Sequence, residues 1–158
     1  ARSIRADSLS FNNDGTIKKV IPTFRGIGIT KATSQIQIDR YSAKSEDGAR
    51  IDFIDTADKF IGWKAILDKP NAWFQYNTVQ FDKSIKKVSL KVRAEVAGTV
   101  IIRSGNSSGP VIAEINVPAG DHWKEITKPV SGASSGINHL VLQLKTGKQI
   151  ETDWIKFQ

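Results

Sequence analysis

Two sets of side chains in this 158-residue chain have types and spacing suited to chemistry. Gln37 and Asp39 stand two apart in a strand-like run, so their side chains share one face. Asp153, near the other end of the chain, joins them if the first and last strands are neighbours. Three side-chain oxygens with backbone carbonyls suit a hard cation that takes roughly 6–8 oxygen ligands, namely Ca²⁺. Carboxylates on a strand face are also commonly just solvated, and the residues by themselves leave both readings open. The second set is the four tryptophans, Trp63, Trp73, Trp123 and Trp154. A flat aromatic beside a few polar groups can stack on the apolar face of a ring-shaped ligand while its hydroxyls are hydrogen-bonded. Trp73 and Trp154 lie inside strand-like runs among apolar residues and are expected in the core.

Catalytic constellations are not marked. Asp52, Asp55, Asp58 and Asp68 supply carboxylates, but nothing pairs two of them for acid and base work. His122 and His139 are the two histidines, and neither has the surroundings of a nucleophile–base pair. The stretch 104–109 is glycine- and serine-rich, yet it links two strands and opens no helix, so it is a loop and no phosphate cradle. There are no cysteines, which excludes disulfide and thiol chemistry in this chain.

The elements that must position these residues are strands. Runs at 35–41, 49–54, 60–66, 73–81, 85–96, 99–103, 111–117, 123–130, 138–145 and 149–157 are short and rich in β-branched or aromatic residues. Turn chemistry separates them, for example at Ala97-Gly98, at Pro118-Ala119-Gly120-Asp121 and at Thr146-Gly147. No helical periodicity holds over a convincing length. The pattern predicts an all-β fold, an antiparallel β-sandwich of the jelly-roll type. The first thirty residues differ: 11–16 reads as a hairpin-type turn, 17–21 as a strand ended by Pro22, and Gly26 and Gly28 break the pattern. Residues 1–31 are therefore expected to be the tail of a preceding domain or a linker, and 32–158 the sandwich.

The net charge of +7 invites a nucleic-acid reading. Along 85–93, however, Val88, Leu90 and Val92 alternate with Lys87, Ser89, Lys91 and Arg93, the pattern of a strand with one solvated face. No nucleic-acid partner is expected. No run approaches the roughly 18 apolar residues of a membrane span, and no signal-peptide core is present. The chain opens at Ala1 and is expected to be processed or excised from something longer.

Two blocks resemble known families. Asn13-Asp14-Gly15-Thr16-Ile17-Lys18-Lys19-Val20-Ile21-Pro22-Thr23 is similar to the end of the catalytic domain in family 43 glycoside hydrolases, the arabinofuranosidases and xylosidases. Residues 33–158 resemble carbohydrate-binding module family 6. The matching blocks run in order: Ile36-Gln37-Ile38-Asp39-Arg40-Tyr41, Gly62-Trp63, Trp73-Phe74-Gln75-Tyr76 and Asp153-Trp154-Ile155-Lys156-Phe157. The resemblance implies a structural Ca²⁺ at Gln37, Asp39 and Asp153, with Gln37 replacing a common glutamate and weakening the site. It also implies a sugar cleft at the loops, with Trp63 as the stacking aromatic and Trp123 as the second aromatic of a neighbouring loop. Gly120 stands where that loop has its first tryptophan, and Glu151 where an asparagine binds the ligand. Asp121, His122 and Glu151 are then the polar contacts. A second site of the family, on a sheet face, would fall on Gln75, Asn77 and Gln143.

The expected function is a non-catalytic module, monomeric and secreted by a bacterium, that tethers an attached family 43 hydrolase to plant cell-wall xylan or arabinoxylan. The alternatives are a structural sandwich that packs on the catalytic domain and binds no sugar, and, third, a basic module for an anionic polymer such as pectin or nucleic acid, which a steep fall in affinity with salt would pick out.

Overall fold

The computed structural model of the protein describes residues 6–158, so the first five residues of the expected 1–31 tail lie outside the described residues. Among the described residues twelve strands form two sheets. The first holds β1 (Thr30–Lys31), β3 (Ala43–Lys44), β6 (Trp73–Phe81), β8 (Gly98–Ser104), β9 (Val111–Val117) and β11 (Gly136–Thr146). Its path is β1-β6-β11-β8-β9, with β3 also on β6. The second holds β2 (Ile36–Gln37), β4 (Ala49–Phe53), β5 (Trp63–Leu67), β7 (Lys87–Ala94), β10 (Gly120–Pro129) and β12 (Ile150–Phe157), ordered β10-β7-β12-β5-β4 with β2 on β12. Every ladder is antiparallel except β1 on β6. The expected β-sandwich is the observed fold. No helix among the described residues is long and apolar enough to cross a membrane.

Period-two alternation builds the core. Phe74 and Tyr76 of β6, Val88, Leu90 and Val92 of β7, Leu140, Leu142 and Leu144 of β11, and Ile155 and Phe157 of β12 are sealed between the sheets. The Tyr76 hydroxyl donates to the Ile38 carbonyl at 2.8 Å, which satisfies the one polar atom this large ring brings inside.

The same alternation corrects two expectations. Trp73 and Trp154 are half-buried on the outer faces, because their neighbours Phe74 and Ile155 take the inward positions. Ser89 is fully buried, its hydroxyl sharing a hydrogen bond with that of Thr127 at 2.7 Å. Three expected strands also change, the first being 35–41, which is reduced to Ile36–Gln37. Lys59–Ile61 forms a 3-10 turn capped by Asp58 and stopped by Gly62 at φ 120, so β5 starts only at Trp63. Near the N-terminal end, 17–21 forms no strand: a single bridge, Phe11 to Ile17, closes the turn at 12–16.

The boundary expected at 31/32 is crossed by several contacts. Thr30 and Lys31 pair with Val79 and Gln80, Arg25 Nε donates to the Asn77 carbonyl at 3.2 Å, and the rings of Phe24 and Tyr41 lie 5.2 Å apart. The Thr78 hydroxyl donates to the Gly28 carbonyl at 2.8 Å. Thr78 holds φ 54, a left-handed conformation that costs a β-branched residue about 1–3 kcal/mol and persists only where surroundings enforce it. Here the surroundings include the segment ahead of β1.

Candidate functional site

β7 ends, β10 begins and β12 begins at the same end of the second sheet, and the register there brings charges together. Glu151 of β12 sits opposite Arg93 of β7 on one side and Ile66 of β5 on the other. All three point away from the core. Glu151 is only 9% exposed. Its Oε2 accepts from Arg93 Nε at 2.9 Å and from Nη2; its Oε1 accepts from Lys64 Nζ at 3.0 Å and from Gln149 Nε2 at 3.3 Å. Burial pushes this carboxyl up, but the hydrogen bonds and charges of Arg93 and Lys64 outweigh it and hold it below the usual carboxylate range. With both oxygens occupied, Glu151 is a clamp on three strands that fixes Arg93 and Lys64.

Above the clamp opens a cleft of about 350 Å³ with Arg93, Glu95, Asp121, Lys148, Gln149 and Glu151 as its polar walls and Val96 as an apolar one. Asp121 reaches it because β10 bulges: three residues, 121–123, span the gap between Gly120 and Lys124 opposite β7. Gly120, at φ 154, begins that bulge in a conformation other residues rarely adopt. The bulge turns Trp123 onto the outer face, where the Arg93 guanidinium carbon lies 5.0 Å and Lys91 Nζ 5.7 Å from its ring centroid. Cations thus cover Trp123, which does not line the cleft. His122 is exposed, its Nε2 3.3 Å from Asp121 Oδ1.

Trp63 lies elsewhere. It is three residues from Ile66 along β5, roughly 10 Å at strand rise, and does not line the cleft. Its ring stacks on Phe53 of β4 with centroids 4.0 Å apart, and it remains 40% exposed. Phe60, at the tip of the neighbouring turn, is fully exposed. The structure therefore brings Glu151 and Asp121 together, sets His122 and Trp123 at the margin, and leaves Trp63 on a separate aromatic edge. Sequence reasoning missed Arg93, Lys64 and Phe53. Arg93 belongs to a run that alternates like a solvated face, Lys64 carries no local signal, and their partner Glu151 is 58 and 87 positions away. On the first sheet's outer face, Gln75 bonds Asn77 at 2.8 Å and Gln143 accepts from Arg103 at 2.7 Å.

Of the three residues expected to hold Ca²⁺, Gln37 ends β2 and Asp153 lies in β12. Asp39 stands in the turn after β2, closed by the Arg40 N–H donating to the Gln37 carbonyl at 3.2 Å, so Gln37 and Asp39 do not share the strand face expected of them. Gln37 pairs with Trp154, and the Ile38 N–H donates to the Asp153 carbonyl at 3.0 Å. Gln37 is exposed and Asp39 half-buried; burial raises the Asp39 carboxyl, and the charge of Asp153 adds to the rise. Asp153 sits at a bulge in β12, its Oδ2 2.8 Å from Lys91 Nζ. Two carboxylates, an amide and nearby carbonyls are donors that fit a hard cation, and a half-buried carboxyl with a like charge beside it would gain from one. Among the described residues no cluster of three or more Asp, Glu, His or Cys side chains of metal-binding type occurs.

A model of carbohydrate-binding module family 6 matches residues 41–158. No curated protein matches the chain. Solved structures match more widely. A family 6 module from Clostridium stercorarium in complex with cellobiose is 21% identical, with a TM-score of 0.73 over 83% of this chain and 97% of its own. A family 6 module from Clostridium cellulolyticum in complex with xylose is 22% identical, with a TM-score of 0.72 over 82% and 99%. A family 43 arabinoxylan arabinofuranohydrolase from Bacillus subtilis, in complex with cellotetraose, is 18% identical, with a TM-score of 0.73 over 96% of this chain and 33% of that one.

Proposed function

The chain belongs to carbohydrate-binding module family 6, a non-catalytic family, and from that premise we propose that it binds xylan or arabinoxylan and tethers a hydrolase to it. The observation that carries the reading is the flat Trp63 ring, backed by Phe53 and 40% exposed, a few residues along β5 from a polar cleft. A sugar ring stacks on Trp63. The hydroxyls of the same polymer chain take hydrogen bonds from Arg93, Lys148 and Gln149 and give them to Asp121, with His122 at the rim. Glu151 positions Arg93. The choice of xylan draws on the xylose-bound module and the arabinoxylan hydrolase among the similar structures.

Tethering works by effective concentration: weak binding holds the catalytic domain at its substrate. Support for a family 43 partner comes from coverage. The stand-alone modules match about four-fifths of this chain, whereas the hydrolase matches 96% of it. Outside the family match at 41–158, Leu9, Phe11, Ile17, Ile21, Ile27 and Ile29 are all more than half exposed, the kind of apolar surface that seats a second folded domain. A plant cell-wall ligand places the protein outside the cell. The proposed Ca²⁺, held by Gln37, Asp39 and Asp153, would supply no chemistry on the sugar; it would tie β2 and the turn after it to β12 and neutralise the carboxylates of Asp39 and Asp153.

Affinity electrophoresis through arabinoxylan, xylan, cellulose and β-1,3-glucan tests the reading. Arabinoxylan or xylan should retard the intact chain, and Trp63→Ala should abolish the retardation without changing the fold. Retardation of neither form by any neutral glycan would favour the purely structural sandwich.

A further inference from the structure

The end of the sandwich opposite the cleft carries a concentration of charge that sugar stacking does not use. β6 and β12 finish there, β7 and β11 begin there, and β10 finishes there at Pro129. Backbone bonds lock the segments together: the Lys86 N–H donates to the Gln158 carbonyl at 2.6 Å, Val130 to Lys86 at 2.8 Å, and Phe157 to Ala32 at 2.9 Å. These pairings bring Lys31, Lys83, Lys86, Lys87, Lys128 and Lys156 to one end. Five are exposed and Lys128 is half-buried. None of the six takes part in an ion pair among the described residues; the pairs seen use Arg50, Lys64, Lys69, Lys91, Arg93, His122 and Lys145. The carboxylate in the adjoining turn is Asp82, and the next along the outer face, Glu125, stands opposite Lys91. They come from four separate segments of the chain, and Lys128, paired with inward-facing Val88, lies on the other face of its sheet from Lys87 and Lys156. An end this rich in unpaired ammonium groups attracts an anionic polymer.

We propose that this end is a second, electrostatic docking surface for a polysaccharide bearing carboxylates along its length, a uronic-acid polymer. All six cations are lysines. Their compact ammonium groups on flexible stems act as point charges that suit anionic groups spaced along a polymer without fixed geometry. The aromatic rings at this end, Phe81 and Phe157, are buried edge-to-face with centroids 5.0 Å apart, so nothing offers nucleobases a stacking platform. No helix stands there to enter a groove. The surface lies roughly 25 Å from the cleft, the length of β7, so one acidic polymer could engage both ends and gain by avidity. The inference rests on membership of the family and not on the xylan reading.

The test is affinity electrophoresis of the intact chain and of a Lys86→Glu/Lys87→Glu/Lys156→Glu variant through polygalacturonate, neutral arabinoxylan and double-stranded DNA. Polygalacturonate should retard the parent at low salt. The variant, unchanged in its melt, should lose roughly tenfold or more of that affinity and keep its arabinoxylan retardation. Equal retardation of parent and variant by polygalacturonate overturns the proposal. So does DNA binding as strong as polygalacturonate binding and lost with the same lysines, which would make the surface a generic polyanion site. Loss of arabinoxylan binding alone, in both forms, defeats the xylan reading and leaves this surface standing.

Discussion

The two ends of the sandwich handle charge in opposite ways. Around the cleft, Glu151 is clamped by Arg93 and Lys64. At the far end six lysines crowd together with no ion-pair partner among the described residues. Paired and buried, charge acts as structure: it fixes side chains and shapes a cleft for hydroxyls. Unpaired and exposed, it contributes little to the fold and stays available to a ligand. The first end should therefore be sensitive in stability and indifferent to salt in binding, and the second the reverse.

The largest expected effect falls on the clamp. Glu151→Ala leaves Arg93 and Lys64 without their carboxylate in a largely buried place and should cost about 3 kcal/mol, roughly 6–12 °C in thermal unfolding. The same melt on the triple lysine variant should stay within about 0.5 kcal/mol of the parent per site, since each position is exposed. A Glu151→Ala protein as stable as the parent would erase the contrast.

Acid should act on the same end. Because Glu151 is held below the usual carboxylate range, its contribution is present above the unfolded pKa of about 4.3 and is lost as pH falls through its folded value. Stability measured by denaturant should thus drop below about pH 4 in the parent, and that limb should flatten in Glu151→Ala.

Asp39 has the opposite sign. Its carboxyl is raised by burial, so ionised Asp39 disfavours the metal-free fold at neutral pH. Asp39→Asn should raise the melting temperature in chelator slightly, by less than about 1 kcal/mol, and should remove any gain on adding Ca²⁺. If chelator leaves the parent's melt unchanged, the calcium proposal fails.

The sandwich was legible because period-two alternation is a local signal: Val88, Leu90 and Val92 announce their side of β7 without knowledge of any partner. What the same signal could not resolve was which face is inner when both look apolar. Trp73 and Trp154 looked like core, yet Phe74 and Ile155 beside them take the interior. At the site the limit was pairing. Asp121 and Glu151 were legible as polar contacts by resemblance, but Arg93 and Lys64 join Glu151 only through strand register. Trp63 was expected in the cleft, and the register sets it beside Phe53 instead. The lysine end shows the same limit. The net charge of +7 is visible at once, but its gathering at one end needs the fold to bring residues 31, 83–87, 128 and 156 together.

The most direct measurement is the salt dependence of retardation by neutral arabinoxylan, set beside that by polygalacturonate, between about 50 and 200 mM salt. Stacking and hydrogen bonding at the cleft end predict arabinoxylan retardation that barely changes, while polygalacturonate retardation falls steeply. If arabinoxylan retardation falls in step with polygalacturonate, or is absent at every salt, the division of labour between the two ends is wrong.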